Sequence, residues 1–502
     1  MTASQKSVLL VTVDCMRADH AGFMGYKRAT TPFLDQLAAK SFVFPVAITG
    51  GAPTYFSFPT ILASRFPLAL GRDQLGLAPG EITLASCLKK AGYATAAFCA
   101  GNPYLSRRCG YDHGFDRFED HLAAETTPLT DVTLQPPGNA GWAHAVNRQL
   151  DRYSHRVGVL GSVYDELYFQ YCQRWATAKP ASLDQQRRFP AADQIVDEAL
   201  AWLNGLGDEP FFLWLHLMDP HSPYYPTDAA LQAMGEPGVS PFRARYLNSY
   251  WNRGNLALDR LARHRDEIVS LYDAGIRLVD MQMARLVDGL RGLNRWDKCL
   301  FAFTADHGEE FLDHGGRYHP PDRLNEELIH VPLLVRVPDA TPKATCKSPF
   351  SHLHLAPTLL EAVGIAVPDA FQGRSFWGEV REGTQWKGPA ISESVAGCTN
   401  PFRRENRLGH RVLAVREERF KLMLDFNAGQ ECLYNLESDP AERCPLPAGA
   451  EKAVRRRLLE VAREHLQRSS TMRDPEARLR SRLRELQLEW TTAVDQKPRV
   501  AS

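Results

Sequence analysis

Ser7-Val-Leu-Leu-Val-Thr-Val-Asp14 is a run of strand-forming, mostly aliphatic residues that closes on a carboxylate. The apolar part, Ser7–Val13, is too short to cross a membrane and suits a strand buried on both faces. A carboxylate at the end of such a strand is costly unless a cation or hydrogen bonds meet it. Taken alone, the segment also allows a helix-capping Asp. Gly92–Cys99, Pro210–Leu217 and Cys299–Thr304 read as further strands, and the last two each end at a cluster of His and Asp. Helix-period segments alternate with these strands over about the first 370 residues, which predicts an α/β fold with a large, mostly parallel sheet sandwiched by helices. Open sheets of this kind bind ligands outside the carboxyl ends of their strands, so the strand-end residues mark the expected site.

Two helices are legible in detail. Thr31–Lys40 carries Pro32 in its first turn, where a missing N–H costs nothing. From Arg265 to Leu290 the residues Ile268, Leu271, Val279, Met283, Leu286 and Leu290 recur at helical spacing, so one face packs on the sheet. Met281 and Met283 read as core filler there.

The chain has 502 residues, 59 Lys and Arg against 59 Asp and Glu, and 44% apolar composition. That is ample for a large core with a smaller companion. Zero net charge argues against nucleic acid or an anionic membrane as the main partner, and no transmembrane span is visible. The ten cysteines form neither a CxxC pair nor a short disulfide framework, so reduced thiols in a cytoplasmic protein are expected. Residues 1–375 read as the catalytic body, with a helical insertion at about 125–190, rich in Gln, Arg and Tyr, that either shapes a pocket or is a surface excursion. Val412–Val415, Phe420–Leu424 and Cys432–Leu436 suggest a small antiparallel subdomain within 376–450. The Arg/Glu-rich tail, 451–502, carries Leu at helical spacing and reads as helices lying on the body or on a second copy of the chain.

Four clusters carry chemistry. The first ends at Asp14. In the second, Thr304-Ala-Asp306-His307-Gly308-Glu309, a carboxylate beside an imidazole offers a mixed oxygen and nitrogen set suited to Zn²⁺ or Mn²⁺. Gly308 would let the backbone turn closely around an ion. The third, His216-Leu-Met-Asp219-Pro-His221, supplies either donors to an anion or a second metal site. In the fourth, Gly50-Gly51-Ala-Pro-Thr54, a bend enters a helix and would set Thr54 where backbone N–H groups favour an anion. A hydroxyl is a poor nucleophile at neutral pH, but a bound cation can ionise it.

With these clusters in this order the chain resembles the sulfatase family of the alkaline-phosphatase superfamily. The likeness runs through Val-Thr-Val-Asp14-Cys-Met-Arg17, Gly25-Tyr26, Thr31–Ala38, Gly114-Phe-Asp, Asp219-Pro-His221, Thr304–Glu309, Glu326–Leu334, Ala356–Gly364 and Leu433–Pro440. It implies an alkaline-phosphatase/sulfatase-like fold with a small C-terminal antiparallel subdomain. It implies one divalent cation (Mn²⁺, Zn²⁺, Ca²⁺ or Mg²⁺) on Asp14, Asp306 and His307, with Thr54 as the metal-bound nucleophile. His221 would then be a donor to the bound oxyanion or leaving group. A covalent ester intermediate would form and be hydrolysed.

The departures redirect the chemistry. The family's nucleophile stretch, Cys-x-Pro-Ser-Arg, aligns with Thr54-Tyr-Phe-Ser57-Phe58, and Thr cannot become formylglycine. A basic pair of the family aligns with Asn102 and Tyr104. The basic residue expected ahead of Glu326 falls within His319-Pro-Pro-Asp-Arg323, which makes His319 and Arg323 its candidates. A Thr sulfate ester lacks the aldehyde exit of formylglycine, whereas a Thr phosphate ester turns over readily in a metal site. Asn102 then resembles the amide donor to a phosphoryl oxygen in the superfamily's Thr-dependent enzymes. A hydrolase of phosphate or phosphonate esters, phosphodiesterase-like, is therefore expected. Its alternatives are a sulfatase, a phospho-group transferase and a non-catalytic oxyanion-binding protein. His216, Asp219, His221, His314, His319 and His354 could together furnish a second metal site, but the Asp-Pro-His spacing is the one-metal pattern.

Overall fold

The computed structural model describes residues 5–122, 166–176, 180–235, 238–343, 347–426 and 428–469. The central sheet contains β1 (Ser7–Val13), β2 (Phe42–Val43), β3 (Ala94–Cys99), β4 (Arg117–Glu119), β5 (Phe211–Leu217), β6 (Cys299–Ala305) and β7 (Leu333–Arg336). Their order is β2-β7-β6-β1-β5-β3-β4; β1, β3, β4, β5 and β6 run parallel, and β7 is antiparallel to β6 and β2. All of β1 is buried, which is why it reads as one apolar run rather than an alternating one. Each buried Val or Leu there contributes roughly 1.5–3 kcal/mol.

Register positions the site. Val13 lies opposite Leu217 on one side and Ala305 on the other, so β1, β5 and β6 end level. The next residues, Asp14, Met218 and Asp306, leave the sheet along one edge. Asp14 N donates to Leu217 O at 2.9 Å and Asp306 N to Val13 O at 3.2 Å, extending the ladder one step and fixing both acidic residues.

Helices α1 (Pro32–Ala38), α2 (Thr54–Ala63), α3 (Ala192–Asn204) and α4 (Arg265–Gly292) flank the sheet. The face of α4 foreseen from its spacing is buried, Met283 included, and Met281 packs half-buried against the same core. That face also holds two buried carboxylates that the apolar pattern conceals. Asp273 accepts from Tyr26 Oη at 2.7 Å and Arg28 Nη1 at 2.6 Å and pairs with His20 Nδ1 at 2.6 Å. Asp280 accepts from the backbone N–H groups of Phe33 (3.0 Å) and Leu34 (2.8 Å), satisfying the open end of α1 from another helix. Together they anchor the chain that follows Asp14.

A second, antiparallel sheet comprises β8 (Ala390–Val395), β9 (Arg411–Glu417), β10 (Phe420–Asp425) and β11 (Gln430–Asn435) in sequential order. Helix α5 (Lys452–Ser469) lays Leu458 and Ala462 against Leu413, Val415 and Leu422, so this part of the tail packs on the second sheet of the same chain. Phe376, Trp377, Val380 and Trp386 pack in the large core, which carries the main body past residue 375. Glu393 of β8 ties the two bodies together, accepting from Leu68 N at 2.9 Å and pairing with His465 Nε2 at 2.9 Å.

Most of the insertion expected at about 125–190 lies outside the described residues; within them, 166–171 are helical and run into a π-helical turn, Cys172–Ala176. Of the expected tail, 470–502 also lies outside them. No helix of the described residues is long and apolar enough to cross a membrane. Nine cysteines of the described residues are free thiols.

Candidate active site

Thr54 is the first residue of α2, a helix buried along its whole length, and faces the carboxyl ends of β1 and β6. Its Oγ1 stands 3.3 Å from Asp14 Oδ2 and 3.3 Å from His307 Nε2. Asn102, just past β3, donates from Nδ2 to Asp14 Oδ2 at 2.8 Å and lies 3.4 Å from Thr54 Oγ1. Its own Oδ1 accepts from Tyr104 N at 3.0 Å, which fixes the amide's orientation. His216, on β5, brings Nε2 to 3.4 Å from Asp14 Oδ2, with Nδ1 held at 3.0 Å by Thr12 Oγ1. Ser57 Oγ donates to Thr54 O at 3.0 Å and is committed to its own helix. His221 and His319 close the cluster, their ring centroids 5.2 Å apart, with His319 4.7 Å from the His307 ring.

Electrostatics divide these groups by role. Asp14 and Asp306 are both fully buried. Burial and the neighbouring Asp14 push the Asp306 carboxyl well up. Burial works the same way on Asp14, yet His221, the hydrogen bond from His216 and the nearby His307 outweigh it and hold that carboxyl well below the usual range. Two carboxylates in one dry site cannot both ionise without a cation between them. Burial, reinforced by His319, lowers His307 to about 4, so its imidazole is neutral and able to ligate. Burial also lowers His221. His319 goes the other way: burial opposes its charge, but Glu309, whose Oε2 lies 3.0 Å from Nδ1, raises it. Glu309 is in turn positioned by Tyr224 Oη, which donates to Oε1 at 2.9 Å.

The residues fit a divalent cation. Asp14, Asp306 and His307 offer donor atoms all within 4.8 Å of one another, and Asp306 Oδ2 is buried with no hydrogen-bond partner. An orphaned carboxylate oxygen aimed at a second carboxylate and a neutral imidazole is what a hard or borderline cation satisfies.

The structure disperses the second candidate set. Asp219 Oδ1 is engaged by Arg187 Nη1 and Ala192 N, each at 3.3 Å, and burial raises its carboxyl to about 6. Arg323 pairs with Glu310 Oε1 at 2.7 Å, and His314 with Glu327 Oε1 at 2.6 Å, forming a separate cluster. His354 is bound to the backbone of Arg374. Of that set, His216 and His221 approach Asp14 and His319 lies beside His307, while the others meet different partners. Gly308 does turn closely, but around protein: a Cβ there would meet Glu327 O at 1.9 Å. Cys15 was not singled out from the sequence, yet its Sγ lies 2.9 Å from Asp14 Oδ1 and 3.3 Å from His319 Nδ1. Its adjacency to Asp14 was the available signal.

A family model described as Sulfatase matches residues 6–365, and one described as N-sulphoglucosamine sulphohydrolase, C-terminal matches residues 317–464. An arylsulfatase of Clostridium perfringens (strain 13 / Type A) is 23% identical over 470 residues, spanning 87% of this chain and 89% of its own. The multifunctional alkaline phosphatase superfamily protein PehA of Trinickia caryophylli is 23% identical over 422 residues, spanning 76% and 79%. The crystal structure of the phosphonate monoester hydrolase of Agrobacterium radiobacter is similar in fold, with a TM-score of 0.64 at 20% identity over 92% of this chain and 95% of that one. With the strand-end acids, the two sheets and the matched length in agreement, the chain belongs to the sulfatase family of metal-dependent ester hydrolases.

Proposed function

We propose that the chain hydrolyses phosphate or phosphonate esters, with Thr54 as nucleophile and one divalent cation held by Asp14, Asp306 and His307. The observation that carries the reading is the place of the Thr54 hydroxyl at the head of α2, 3.3 Å from both Asp14 Oδ2 and His307 Nε2. A cation in that site supplies positive charge to the substrate oxyanion and eases ionisation of the hydroxyl.

The chain's own residues do the rest. The Asn102 amide and the charged His319 imidazole face the space beside Thr54 and stabilise negative charge growing on phosphoryl oxygens. Thr54 Oγ1 bonds to phosphorus while the bond to the leaving oxygen breaks. The hydroxyl proton has Asp14 Oδ2 as an acceptor at 3.3 Å, and the leaving oxygen takes a proton from His319, with His221 beside it as a hydrogen-bond donor. Water then attacks phosphorus and frees the Thr54 hydroxyl. A sulfate ester on Thr54 has only attack at sulfur as an exit, which favours the phosphoryl reading. The scatter of Asp219, His314 and His354 to other partners supports a single cation. Free thiols across the described chain support a reducing compartment.

Acid quench of the metal-loaded protein during turnover of a labelled phosphonate monoester tests the assignment. The expected result is label on Thr54, with bis-p-nitrophenyl phosphate cleaved faster than p-nitrophenyl sulfate. Label on Ser57, or dominant sulfate turnover, would overturn it. The second reading, a sulfuric ester hydrolase, draws on the relatives named arylsulfatase.

A further inference from the structure

Arg108 differs from the arginines around it. Its side chain is exposed and its guanidinium carbon lies 4.5 Å over the Phe402 ring. No hydrogen bond or ion pair engages that guanidinium among the described residues. Its neighbours are spent on the fold. Arg107 pairs with Asp112 at 3.5 Å and donates to Phe118 O. Arg404 Nε pairs with Asp73 Oδ1 at 3.3 Å, Arg407 Nη1 donates to Asp73 O at 3.0 Å, and Arg72 Nη1 donates to Gly409 O. These last three contacts pin the loop between β8 and β9, which carries Phe402, to the segment after α2. Phe402 stacks on Tyr104, ring centroids 5.5 Å apart and planes at 27°. The Tyr104 ring lies 4.9 Å from that of Tyr55, the residue after Thr54, and Tyr104 N is bonded to Asn102 Oδ1. An aromatic ladder thus runs from Thr54 and Asn102 out to a guanidinium whose donors are open.

We propose that Arg108 forms a subsite for a second anionic group of the substrate, an oxyanion carried by the substituent that stays on phosphorus. The inference rests on the phosphoryl reading above and deepens it. Along the strand order β6-β1-β5-β3, Asn102 and Tyr104 follow β3 at one end, while His319 lies beside His307 after β6 at the other. With the leaving oxygen served by His319, the retained substituent is directed toward Tyr104 and the ladder beyond it. Only a diester or a phosphonate monoester has such a substituent. A planar guanidinium offers an oxyanion two parallel N–H donors. Its place over Phe402 orders it before the substrate arrives, which lowers the entropy cost of binding. Asn102 and Tyr104 stand where the family has its basic pair, so neither brings a positive charge that would compete for the anion.

Calorimetry with alkylphosphonates, the products that keep the retained substituent, tests this without turnover. The full-length protein loaded with Mn²⁺ is titrated with chains of two to five carbons, each with and without a terminal carboxylate. At least one carboxylated chain is expected to bind about tenfold more tightly than its neutral counterpart, an advantage that shrinks as NaCl rises from about 0.05 to about 0.5 M. Arg108→Gln should bring that ratio close to one, and Phe402→Leu should lower it. Arg107→Gln, which removes the same charge from the adjacent residue, should keep it. A ratio near one at every chain length in the unaltered protein overturns the subsite and leaves the hydrolase reading standing. So does a tenfold ratio that survives Arg108→Gln or falls equally in Arg107→Gln, and so does binding of no chain by a protein that turns over phosphonate esters. Neither binding nor ester turnover overturns both readings. The unaltered protein's ratio decides even if a variant fails to fold.

Discussion

The Phe58 ring meets the His216 ring edge-on, centroids 5.1 Å apart and planes at 85°, and is itself fully buried. Where the family's pattern has an Arg beside the nucleophile, this chain packs an apolar wall behind an imidazole that approaches Asp14. Phe58→Ala is therefore expected to cost about 3–5 kcal/mol in urea unfolding. Phe58→Arg would bury a charge against Trp214 and His216 and should yield no soluble folded protein, rather than a more family-like enzyme.

Removing the Thr54 hydroxyl separates chemistry from cation binding. Thr54→Ala should lower kcat about a thousandfold or more while one equivalent of Co²⁺ is still taken up. Asn102→Ala, which deletes a single amide donor, should lose about 10²–10³ in kcat. Steady-state kinetics with metal titration checks both, and an active Thr54→Ala protein would end the nucleophile assignment.

Gly308 is fixed by sterics. An added Cβ meets the Glu327 carbonyl, a backbone atom that cannot step aside, and the Gly308 N to Leu328 O bond of 2.9 Å must give. Gly308→Ala should cost about 2–4 kcal/mol and, by shifting His307, weaken cation binding. Denaturant unfolding and metal titration on the same samples would show both effects together.

Glu393 predicts an acid limb to stability. Burial opposes its ionisation, but Arg411 and His465 overcome that and hold its carboxyl at about 2. A folded value below the unfolded one stabilises above about pH 4.5, and that contribution is lost as pH falls toward about 2, on the order of 3 kcal/mol in all. The difference in melting temperature between the unaltered protein and Glu393→Gln should therefore shrink as pH drops from about 6 to about 3. A constant difference would show that the pairing does not stabilise the fold.

Local sequence was enough for the frame of this site. Asp14 and Asp306-His307 were legible because each follows an apolar strand, and parallel strands in register must deliver their next residues to one edge. The helical period of 265–290 and the strand alternation after residue 390 exposed the two bodies in the same way. What the sequence left undecided was partner choice among equivalent side chains. Asp219, His314, Arg323 and His319 all carry suitable groups, and only folding assigned the first three to Arg187, Glu327 and Glu310 while leaving His319 beside His307. Asp273 and Asp280 were hidden inside an apolar helix face, and Cys15 behind a left-handed turn. Spacing along the chain determines which residues share an element; the direction of each polar group depends on which contacts close in three dimensions, from 13 positions apart for His314 and Glu327 to 253 for His20 and Asp273.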